Sequence, residues 1–133
     1  MNPLLLAAAV AQTFNLSCTG TRTTTDISGT RTEPYSDEYR VDLGKAQWCE
    51  AECKGLFPIA NIQQTSIELQ HKEVDSDSET SLLSNIVDRE TGRQHILATF
   101  KNPHSRLETM ILDWAGQCEA KPFTGFPAFE TKF

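Results

Sequence analysis

The sequence predicts an all-β, mostly antiparallel single domain, a small β-barrel or β-sandwich of about six to eight short strands. Three observations carry this. Apolar residues recur with a period of two, threonine is dense between Thr19 and Thr32, and turn-forming residues punctuate the chain at strand-length spacing. Side chains alternate faces along a strand, so period two marks a sheet with one buried side. Threonine is branched at Cβ and fits pleated surfaces better than helices.

The elements follow in chain order. Residues 1–11 read as a signal-peptide remnant: an apolar run from Leu4 ends in Ala9-Val10-Ala11, the small-x-small pattern that signal peptidases cleave. The β-rich domain then covers 12–133. Phe14, Leu16 and Cys18 alternate with Asn15, Ser17 and Thr19 in a first strand, and a turn is expected between Asp26 and Gly29. Tyr39, Val41 and Leu43 form the apolar face of the next strand, and Ile67 and Leu69 flank Glu68 in another. Ser81 to Val87 and Gln94 to Phe100 make the clearest hairpin, with Gly92 placed to take the positive φ of its turn.

The segment 105–116 is open to two readings. Leu107, Met110, Ile111 and Trp114 recur at three and four residues, and Ser105-Arg106-Leu107-Glu108 spells a capping box, which would give a short helix. Thr109, Ile111 and Trp114 favour a strand, and a strand pairs directly with its predecessor, so strand is preferred. Beyond it, Pro122, Gly125 and Pro127 exclude a regular element. The phenylalanines at 123, 126, 129 and 133 are expected to drape over the sheet and close one end.

Cys18, Cys49, Cys53 and Cys118 allow three pairings. An extended chain would hold the Cα atoms of Cys49 and Cys53 about 13 Å apart, beyond the roughly 7 Å limit for a disulfide. A helical turn through Glu50-Ala51-Glu52 brings them within range, so 49–53 is expected, and 18–118 follows. No histidine stands at ligand spacing from Cys118, and Cys-x3-Cys lacks a second close pair, so no metal is expected.

Charge excludes some functions. The chain carries a formal charge of -6 and a pI near 5.0, which disfavours phosphate backbones, so no nucleic-acid role is expected. No segment is apolar for long enough to make a transmembrane helix. Residues 49–80 hold seven acidic and two basic side chains, so nearly all of the net charge sits mid-chain. Glu73, Asp75, Asp77 and Glu79 are therefore the candidate binding residues, facing an envelope protein or a cationic ligand. The run Asp75-Ser76-Asp77-Ser78-Glu79 starts like an EF-hand loop, but Thr80 stands where that loop needs glycine and Ile86 where it needs glutamate. The histidines at 71, 95 and 104 are scattered. No nucleophile elbow, zinc-protease helix or phosphate loop occurs, so no catalytic residue and no cofactor is assigned.

Four segments, Ser17-Cys-Thr-Gly-Thr21, Trp48-Cys-Glu-Ala-Glu-Cys53, Val87 to Arg93 and Gly116 to Pro127, together resemble small exported proteins of unknown function from alphaproteobacteria with two disulfides. The resemblance implies a periplasmic or secreted β domain and brings no catalytic residue with it. The functional expectation is a non-catalytic binding or envelope-associated protein. The alternatives are a small periplasmic hydrolase and an inhibitor of a cationic enzyme such as lysozyme.

Overall fold

The computed structural model describes residues 12–102 and 104–128, with backbone alone for 105–108. The apolar run of the expected signal remnant, and Phe129 and Phe133, lie outside the described residues. Nine antiparallel strands curl into one half-barrel sheet, and the described residues include no helix. The strands are β1 (Thr13–Asp26), β2 (Gly29–Asp42), β3 (Gln47–Glu50), β4 (Phe57–Pro58), β5 (Asn61–Ile62), β6 (Ser66–Asp75), β7 (Thr80–Asp88), β8 (Arg93–Asn102) and β9 (Ser105–Lys121). Their spatial order is β4-β3-β2-β1-β9-β8-β7-β6-β5. The last strand pairs with the first, and every other pairing is between sequence neighbours.

The segment that could have been a helix is strand β9, the longest of all. Both of its flanks explain this. β9 lies between β1 and β8, pairing with β1 from Ile111 to Lys121 and with β8 from Ser105 to Gln117, so both edges of its backbone are satisfied from Ile111 to Gln117.

The period-two residues face inward as expected. Leu16, Cys18, Tyr39, Val41, Trp48, Ile67, Leu69, Val87 and Cys118 form one continuous core on the concave side. Both expected disulfides are present, Cys18–Cys118 and Cys49–Cys53. The second closes a tight turn rather than a helical one. Cys53 donates its N–H to the Glu50 carbonyl at 2.9 Å and sits at φ 48°. That turn ends β3 after four residues.

The early end of β3 explains why the sheet is a half-barrel and neither a closed barrel nor a sandwich. At one end, residues 57–62 bridge the two sheet edges: β4 pairs with β3, β5 pairs with β6, Ile59 donates to Ala46 at 2.9 Å and Ala60 donates to Leu69 at 3.3 Å. At the other end, β2 before Tyr39 and β6 after Leu69 have no strand beside them on that side among the described residues. The concave face is therefore open there.

The tail departs from expectation. Thr124 and Asn15 exchange hydrogen bonds of 3.0 and 3.2 Å, and Arg40 donates to the Gly125 carbonyl at 2.9 Å. Asn15 and Arg40 point away from the core, so the tail lies along the outer face of β1 and β2 instead of across an end. Phe123 and Phe126 pack edge to face on each other, 5.2 Å apart.

Candidate functional site

The open half of the concave face holds a cleft of about 510 Å³. Its walls come from β2, β3, β7, β8 and β9: Tyr39, Trp48, Leu83, Ile96 and Trp114 are the large side chains lining it. Trp48 and Trp114 are the only two tryptophans of the chain.

The floor is polar and hydrogen-bonded. Asn85 of β7 lines the cleft and Gln94 of β8 is its diagonal neighbour, since the register pairs Asn85 with Ile96 and Gln94 with Val87; the two are 5% and 2% exposed. Gln94 donates through Nε2 to the Tyr39 hydroxyl and to Asn85 Oδ1, each at 3.1 Å, and Asn85 Nδ2 donates to the same hydroxyl at 3.3 Å. Tyr35 donates to Gln94 Oε1 at 2.9 Å. With two N–H groups on its oxygen, the Tyr39 hydroxyl has only its proton left to give, and it gives it to Asp37 Oδ2 at 3.4 Å. The chain of donors therefore ends on Asp37. Burial first, and the Asp37 charge second, push the Tyr39 phenol up to about 12 and raise that of Tyr35, so both stay protonated donors at physiological pH.

Space for this network comes from a glycine pair. Gly20 of β1 and Gly116 of β9 stand opposite each other, and the Tyr35 hydroxyl lies where a Cβ on Gly116 would be. Beside it, Tyr35 and Trp114 pack with centroids 5.6 Å apart, and the Arg22 guanidinium sits 5.3 Å from the Trp114 ring centre. Arg22 is also ion-paired with Glu33, its cross-strand neighbour.

Among the residues that line the cleft, Asp37, Glu38 and Glu50 are acidic and none is basic. The period-two pattern could have singled out Asp37, because Tyr35, Asp37, Tyr39 and Val41 share one face of β2. A lone carboxylate among inward-facing aromatic and aliphatic residues is the signal, and the local sequence Ser36-Asp37-Glu38 disguises it as a solvated stretch.

The acidic residues expected to bind lie elsewhere. Glu73 and Asp75 are on β6, Asp77 and Glu79 are in or beside the β6–β7 turn, and none of the four lines the cleft. Ser76 closes that turn by donating its N–H to the Glu79 carbonyl at 2.8 Å. No group of three or more histidine, cysteine or carboxylate side chains could hold a metal ion among the described residues. His71 is clamped on the outer face between Glu68, at 3.0 Å, and Glu73, at 3.2 Å. His95 meets Asp113 at 2.9 Å, also on the outer face, where both are more than half exposed.

The chain is thus an all-β half-barrel sheet with a cleft on its concave face. No protein-family model, curated protein or solved structure matches it.

Proposed function

We propose that this chain is a non-catalytic binding domain of an exported, envelope-associated protein, and that the cleft of the half-barrel is its site. The observation that carries this reading is the convergence of both tryptophans, an apolar wall and a hydrogen-bonded amide floor on one opening. Ligand sites are concave, mostly apolar, and roughly 300–1,000 Å³ in volume, with a few fixed polar groups. This cleft has each of those properties. Its polar floor is rigid because every member is hydrogen-bonded, which suits recognition: no group there needs to change partners.

Export rests on two supports. Two disulfides persist in oxidising compartments and are rare in the cytosol. The likeness to small exported proteins of alphaproteobacteria points the same way, although no family match accompanies it. No helix of the described residues is long and apolar enough to cross a membrane.

For the alternative of a small periplasmic hydrolase, the His95–Asp113 pair lies outside the cleft with no nucleophile hydrogen-bonded to the ring among the described residues.

Uptake of a neutral apolar dye tests the binding reading. N-phenyl-1-naphthylamine should quench Trp48 and Trp114 by energy transfer and brighten saturably at one molecule per chain. Unchanged emission, or enhancement that never saturates, would overturn it.

A further inference from the structure

We infer that the ligand of this cleft is an organic cation, an amine or guanidinium on an apolar stem, and that Asp37 is its anchor. This rests on the cleft being the binding site, and it goes further by fixing the ligand's charge.

Asp37 lies on the inner face of β2, directly opposite Cys18. Among the described residues its single side-chain hydrogen bond is the long one from Tyr39. A carboxylate offers about four acceptor positions, so most of this one is unused. The proton of Tyr39 is directed at it by Gln94 and Asn85, so the floor network holds the carboxylate side of the cleft in place before any ligand arrives. Carboxylates on an inner wall ordinarily find a cation of their own. Here the nearest inward-facing arginine on β1, Arg22, is taken by Glu33 and Trp114, and no lysine or arginine lines the cleft.

The walls suit the same ligand. Glu38 and Glu50 add negative charge at the lip, where two more carboxylates raise the local concentration of cations. Trp114, the partly exposed aromatic of the wall, offers a ring that attracts a desolvated ammonium or guanidinium, and the buried Tyr39 and Trp48 back the apolar surface that would cover a stem. Among the lining residues an anionic ligand would meet acidic groups and no basic one.

The same group could arrive on a free small molecule or on an arginine or lysine side chain of another protein, and the test separates these sources. Wild type and Asp37→Asn would be titrated by tryptophan emission with benzoyl-arginine amide, with its uncharged counterpart benzoyl-citrulline amide, and with lysozyme. The asparagine keeps an acceptor for Tyr39, so circular dichroism and melting should match wild type. The arginine compound should bind wild type about ten- to a hundredfold more tightly than the citrulline compound, and Asp37→Asn should erase that preference. Lysozyme binding that Asp37→Asn weakens would place the cation on a protein; binding of the small compound alone would make it a free ligand. Equal affinity for the two small compounds, or a preference that survives Asp37→Asn, would overturn the inference. If the neutral dye still binds in that case, the cleft remains a site and only the cation assignment falls.

Discussion

Cys18 of β1 and Cys118 of β9 stand directly opposite each other with their Cα atoms 4.0 Å apart. The Cys118 N–H turns the other way, donating to the Gly92 carbonyl at 2.7 Å. The two cysteines thus occupy a non-hydrogen-bonded pair, where antiparallel strands come closest. The bridge ties the first long strand to the last at the point where the sheet order departs from sequence order.

That placement predicts unequal roles for the two disulfides. Cys18–Cys118 spans 100 residues and Cys49–Cys53 spans 4. Loop-closure entropy makes them worth about 4–5 and about 2 kcal/mol respectively. Urea unfolding of the paired alanine variants should show the larger loss for 18/118, and comparable losses would contradict the entropic account.

The glycine pair under Tyr35 predicts a second asymmetry. A methyl group on Gly116 would collide with the Tyr35 hydroxyl and the Thr19 carbonyl, and the backbone partner cannot move without breaking the β1–β9 ladder. Gly116→Ala should cost about 1–3 kcal/mol, the usual range for overpacking. Combining it with Tyr35→Phe should recover part of the loss, as measured by denaturant midpoint.

The floor network depends on one oxygen. Tyr39→Phe leaves Asn85 Nδ2 without its acceptor in a site with almost no access to water. The expected loss is about 1–3 kcal/mol, the cost of a buried donor left unsatisfied. The variant should also shift tryptophan emission, since Tyr39 packs on Trp48 at 5.8 Å.

Two surface features set opposite pH trends. Hydrogen bonding from Arg31, then from Ser28, holds the Asp26 carboxyl well below its ordinary value. Backbone N–H groups of Thr91, then Glu90, depress Asp88. Both turns therefore contribute stability that is present above the ordinary carboxylate range and lost as pH falls. Asp26→Asn with Asp88→Asn should melt below wild type at neutral pH, and the gap should close on acidification. His71 runs the other way: its hydrogen bond with Glu68 raises it, so its contribution is complete below its unfolded value and fades as pH rises through the folded one. His71→Gln should differ from wild type in mildly acidic buffer and converge with it above neutrality.

Local chemistry sufficed for much of this protein. Period-two alternation placed Leu16, Tyr39, Val41, Ile67 and Leu69 in the core, because an antiparallel sheet with one buried face requires that pattern. The turn residues located the β1–β2 and β7–β8 hairpins, and cysteine spacing ranked the pairings, since only a tight turn joins Cys49 to Cys53. Tertiary structure decided the rest. Whether 105–116 became helix or strand depended on long-range pairing, with β8 from Ser105 and with β1 as well from Ile111. Whether the sheet closed depended on how far β3 could run before the Cys49–Cys53 turn ended it. The site followed from that. Acidic density in the sequence singles out Glu73, Asp75, Asp77 and Glu79, which folding places on β6 and its turn, outside the cleft. A single carboxylate becomes chemically distinctive only when folding surrounds it with aromatic walls and directs a phenol proton at it, and that convergence on Asp37 joins β2, β7 and β8, which are far apart along the chain.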